Sequence, residues 1–128
     1  MQPPIEIKSA FIQIDDEGIL RARIKEGAKI DLKEVELSFE VYRNFGCHKN
    51  KVLKLVDGRS FFTMKDDAQK YSAKHGKDFF IAVALLNNSL AIRLLYSFFN
   101  MFLKQPVPFQ MFSKEADALN WLRSFKVK

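Results

Sequence analysis

The stretch Phe79-Phe80-Ile81-Ala82-Val83-Ala84-Leu85-Leu86 decides the fold. An unbroken apolar run of strand length has no polar phase to turn toward water, so it reads as a strand covered on both faces in the interior of a sheet. Parallel neighbours of such a strand need crossovers, and crossovers lay helices on the sheet. The sequence just upstream supplies the parts. Residues 51–56, Lys-Val-Leu-Lys-Leu-Val, read as a strand and Asp57-Gly58-Arg59-Ser60 as a loop. Thr63 then reads as a helix N-cap with Asp66 at the box position, Met64, Ala68 and Tyr71 along one face, and Gly76 at the end.

Further toward the N-terminus, Asp31 and Glu34 form a capping box for a first helix that Gly46 closes, with Leu32, Val35, Phe39 and Tyr42 as its inner stripe. Residues 5–14 alternate, but Ile5 and Ile7 stand in one phase and Ala10, Ile12 and Ile14 in the other. The slip near Ser9 predicts a bulged strand. Asp15-Asp16-Glu17-Gly18 has turn chemistry, and beyond it Leu20, Ala22 and Ile24 alternate with Arg21, Arg23 and Lys25, completing an antiparallel hairpin. Its outward face carries Phe11, Gln13 and three cations, so part of the sheet should lack a covering layer.

Downstream, Asn87-Asn88-Ser89 starts a third helix that runs to about residue 103 and stops before Pro106. Residues 107–112 contain Pro108 and so form an edge strand; Ser113 caps a last helix that turns Leu119, Leu122 and Phe125 inward beside Trp121. The order is β-β-α-β-α-β-α-β-α without internal repeat or linker. The fold class is α/β, a mixed β-sheet with an N-terminal antiparallel hairpin followed by alternating helices and strands. At 128 residues the chain reads as one domain over 1–128.

This order, with residues 52–57 leading into a capped helix, resembles the sulfate-transporter and anti-sigma-antagonist (STAS) fold. Ile81-Ala82-Val83-Ala84, then Asn88-Ser89 and a long apolar helix, then Pro106-Val107-Pro108-Phe109 through Phe112-Ser113 and Ala118-Leu119-Asn120-Trp121-Leu122, is similar to a group of small bacterial SpoIIAA-like proteins. The resemblance spans most of the chain and implies a SpoIIAA-like fold. It also implies an interaction surface, or, by way of related lipid-transfer folds, a cleft for a lipophile beside the sheet. Anti-sigma antagonists carry an Asp-Ser-Ser-Gly segment with the phosphorylated serine where this chain reads Thr63-Met64-Lys65-Asp66. Thr63 falls near that place, but the serine pair and the glycine are gone.

Composition narrows the function classes. Lys plus Arg number 21 against 15 Asp plus Glu, a net charge of +6 that suits solubility and tolerates anionic partners. Phe11 beside Arg21, Arg23 and Lys25 is one aromatic among cations, short of a nucleic-acid stacking platform; nucleic acid is disfavoured, and these three cations stand as the candidate anion contact. A second basic stretch, Arg43, Lys49, Lys51, Lys54 and Arg59 with Asp57, reads as solvated surface. The sole cysteine, Cys47, reads as a structural thiol in a reducing compartment; with His48 and a distant His75 it makes no metal set. The sequence points to no cofactor. Asp15-Asp16 and Asp66-Asp67 are explained by a turn and a helix start, and phosphate-cradle and nucleophile-elbow motifs are missing, so no catalytic residue is assigned. The N-terminus lacks a basic start with an apolar run, and residues 90–103 fall short of a membrane span, so a cytoplasmic protein is expected.

The sharpest signal is the third helix, where Leu94, Leu95, Phe98, Phe99 and Phe102 stand among further apolar residues and only Arg93, Ser97 and Asn100 draw a narrow polar stripe. Its apolar arc exceeds the roughly 100° that a surface helix needs. This helix with Phe109 and Phe112 is the candidate interface or apolar-ligand surface. The sequence reads as a non-enzymatic interaction or regulatory module that self-associates as a homodimer, with a protein partner possible; a carrier or sensor of a lipophilic small molecule is the alternative.

Overall fold

The computed structural model describes residues 3–89 and 107–126. Their elements are β1 (Ile5–Glu6), β2 (Ala10–Ile14), β3 (Leu20–Ile24), β4 (Ala28–Ile30), α1 (Leu32–Asn44), β5 (Val52–Asp57), β6 (Phe62–Met64), α2 (Asp66–His75), β7 (Phe80–Leu86), β8 (Phe109–Phe112) and α3 (Glu115–Arg123). The main sheet has the order β1-β2-β3-β5-β7-β8. β1, β2 and β3 pair antiparallel, while β3, β5, β7 and β8 run parallel. β7 is therefore an interior strand and β8 an edge, as the apolar run and Pro108 require.

Residues 5–14 are two strands, not one bulged strand. Ile7 donates its N–H to the Ala10 carbonyl at 2.9 Å, Ile5 pairs with Ile12, and the phase slip is a tight reversal. The segments before and after α1 also depart from the expected pattern. β4 and β6 form a separate parallel pair in which Lys29 faces Thr63. Thr63 is consequently a strand residue, and α2 begins after Lys65, which makes no side-chain cap. Backbone pairing with β4 holds residues 62–64 extended and displaces the helix start. Ser113 likewise does not cap: Lys114 occupies the N-cap of α3. The reading of α1 holds. The Asp31 carboxylate accepts the Glu34 N–H at 2.9 Å, and Gly46 at φ +81° turns the chain so that its N–H reaches the Arg43 carbonyl and that of Cys47 reaches Tyr42. The Glu34 carboxylate instead accepts the Ser9 N–H at 2.9 Å, tying α1 to the β1–β2 turn.

Side-chain alternation sends the two faces of the sheet to different partners. On one face Ile12, Leu20 and Ala22 pack with Val35, Phe39 and Tyr42 of α1 and Ala68 of α2. Phe39, 1% exposed, centres an aromatic cluster and meets Tyr42, Tyr71 and Phe79 edge-on at 5.1–5.4 Å. On the other face Leu53, Leu55, Ala82, Ala84 and Leu86 pack under Ala118, Leu119 and Leu122 of α3. Small residues on β7 let α3 approach closely. The helix expected over residues 90–103, with Leu94, Leu95, Phe98, Phe99 and Phe102, lies outside the described residues.

Candidate functional site

The α1/α2 face of the sheet holds a cavity of about 940 Å³. Its floor is the inward phase of the strands, among them Ile12, Ala22, Val56, Val83, Leu85 and Phe109. Registers place these together: Lys54 lies opposite both Leu20 and Val83, Val56 opposite Ala22 and Leu85, and Phe109 opposite Val83. Tyr42 and Phe39 of α1 form one wall, Gln69 and Ala73 of α2 another, and Ile30 with Phe62 a third. The volume falls within the roughly 300–1,000 Å³ of small-molecule sites, and the lining has their usual chemistry of many apolar and few polar groups.

One polar group stands on the floor. Lys54 occupies the inward phase between Val52 and Val56, is 9% exposed, and donates from Nζ to the Tyr42 hydroxyl at 2.9 Å. The same nitrogen lies 4.7 Å from the ring centroids of Tyr42 and Phe80. Among the described residues no carboxylate pairs with it. Sequence reasoning placed Lys54 in a solvated basic stretch; the available signal was its phase, since a lysine between Val52 and Val56 must point where they point. The rest of that stretch disperses: Arg43 stacks on Phe79 at 5.5 Å, and Arg59 forks onto Asp57, holding that carboxyl below its usual range.

The candidate anion contact lies on the opposite face, near the hairpin. Arg23 and Lys25 stack on Phe11 at 4.7 and 4.8 Å. Lys25 also pairs with Glu6 at 2.6 Å, and Arg21 with Asp15 at 2.9 Å and Glu115 at 3.6 Å. Their charge is partly met by the protein's own acids. Phe109 and Phe112 separate: Phe109 lines the cavity, whereas Phe112 points to the other face and packs on Trp121 at 5.8 Å between centroids. Cys47 is buried just past the C-terminus of α1, and burial raises its thiol pKa. Among the described residues no group of His, Cys, Asp or Glu could hold a metal, and no helix is long and apolar enough to cross a membrane.

The fold is SpoIIAA-like. An uncharacterised protein from the DUF3478 family with a SpoIIAA-like fold, from Shewanella loihica PV-4, superposes with a TM-score of 0.65 at 21% identity, covering 89% of this chain and 92% of its own. The anti-sigma factor antagonist SpoIIAA in its unphosphorylated form superposes with a TM-score of 0.60 at 16% identity, covering 90% of this chain and 98% of its own. No curated protein matches the chain in sequence. Residues 12–126 match a family model, and the chain thus belongs to the family described as Domain of unknown function (DUF7793).

Proposed function

We propose that this protein, a single domain over residues 1–128, is a non-catalytic binding module that takes up a lipophilic small molecule as a carrier or sensor. The observation that carries this reading is the cavity of about 940 Å³ between the apolar sheet face and α1 and α2. An apolar hollow of that size gains free energy when a lipophile displaces water from it. Asp66 is the one carboxylate among its described lining residues, so the described lining holds no pair of carboxylates for hydrolytic acid–base work. Native mass spectrometry of freshly purified protein, with a Nile red titration, tests it. A retained lipophile, or saturable probe binding that Ala73→Phe weakens by filling the cavity, is expected. A bare chain that binds no probe overturns the reading.

The fold shared with an anti-sigma factor antagonist supports a second reading, a regulatory module that acts through protein contacts. In that case a two-fold homodimer through the apolar residues 90–103 and the edge strand β8 is expected, since β8 pairs with β7 alone among the described strands. Light scattering at micromolar concentration separates dimer from monomer.

A further inference from the structure

We infer that the ligand of this cavity is a single-chain carboxylate whose head group bonds to Lys54 and Tyr42 and whose tail lies along the sheet. The inference rests on the cavity being a ligand site and specifies the chemistry of its occupant. A buried ammonium is costly unless its donors and its charge are met. Tyr42 accepts one of the three Lys54 protons, and two aromatic faces offset part of the desolvation. The remaining donors have no carboxylate partner among the described residues.

The Tyr42 oxygen accepts from Lys54, which leaves its own O–H to donate. Lys54 and Tyr42 thus offer two convergent donors, the arrangement that a planar carboxylate accepts with both oxygens. The wider lining agrees in sign, with Lys70, Lys74 and Lys77 on and just beyond α2 against Asp66. Beside the donors the floor is apolar, formed by Val56, Val83, Leu85 and Phe109. A phosphate monoester, carrying about 1.5 to 2 negative charges, would bring more charge to this depth than one lysine neutralises. One cation and one hydroxyl match one negative charge.

The test compares palmitate with hexadecanol by displacement of Nile red from the full chain. Wild-type protein should bind palmitate at least about tenfold more tightly, the scale of a charge-assisted hydrogen bond. Lys54→Met should abolish that preference while still binding Nile red, with circular dichroism confirming the fold. Tyr42→Phe, which keeps the ring, should weaken palmitate more than hexadecanol and serves if Lys54→Met does not fold. Equal binding of the two ligands by wild type, or a preference that survives in both variants while Nile red still binds, overturns the carboxylate assignment and leaves the cavity reading intact. If wild type binds neither ligand nor Nile red, both the carboxylate assignment and the cavity reading fail.

Discussion

The Nζ of Lys54 on β5 and the hydroxyl of Tyr42 on α1 lie 2.9 Å apart, joining the middle of the sheet to the helix that walls its cavity. Lys54 is 9% and Tyr42 3% exposed, so water competes weakly for this bond. Each group is the other's main polar partner, and removing one strands the other.

That reciprocity predicts non-additivity. Tyr42→Phe and Lys54→Met should each destabilise by about 1–3 kcal/mol, the cost of an unsatisfied buried polar group. The double variant should lose clearly less than the sum, because neither group remains to be stranded. Urea unfolding of the four proteins gives the coupling directly; strict additivity would show that the 2.9 Å contact is energetically idle.

Glu17, in the β2–β3 turn, accepts from Arg123 at 2.7 and 3.0 Å and from Lys126 at 3.0 Å. These bonds lower its pKa from 4.5 to about 2. A carboxyl that is more acidic folded than unfolded stabilises fully above the unfolded value, and its contribution fades as pH falls from 4.5 toward 2. Carboxyl NMR should therefore show Glu17 titrating well below 4.5, and Arg123→Gln should return it toward that value. The site is exposed, so added salt should shrink the difference.

Helix caps separate Asp31 from Thr63. Asp31→Ala removes the acceptor of the Glu34 N–H and should cost about 1 kcal/mol. Thr63→Ala should stay within about 0.5 kcal/mol, since Thr63 is an exposed strand residue and caps nothing. Thermal denaturation of the two variants side by side checks the ranking.

Cys47 is 1% exposed, and burial pushes its thiol pKa up. It should resist a thiol-modifying disulfide reagent in the folded protein and react at once in denaturant. Cys47→Ala should leave a folded chain weakened by a small cavity, whereas Cys47→Ser should cost more, by about 1–3 kcal/mol, through a buried hydroxyl. Rapid labelling of the native protein would contradict the burial.

Local chemistry along the chain determined most of the architecture. The run ending in Ala84-Leu85-Leu86 had to lie inside a sheet, Pro108 had to lie at an edge, and Asp31 with Gly46 bounded α1, because these features act through neighbours in sequence or through strand periodicity. Short pairings were not legible. β4 and β6 are three residues each and form their ladder only with one another, and that long-range pairing took Thr63 out of its expected cap. The candidate site was legible only in part for the same reason. Phase alone turned Lys54 inward, but its meeting with Tyr42, and the separation of Phe109 from Phe112 onto opposite faces of one sheet, required α1 and α3 to settle on those faces. Which groups face each other across a layer is set by packing between segments distant in sequence, and no local pattern encodes it.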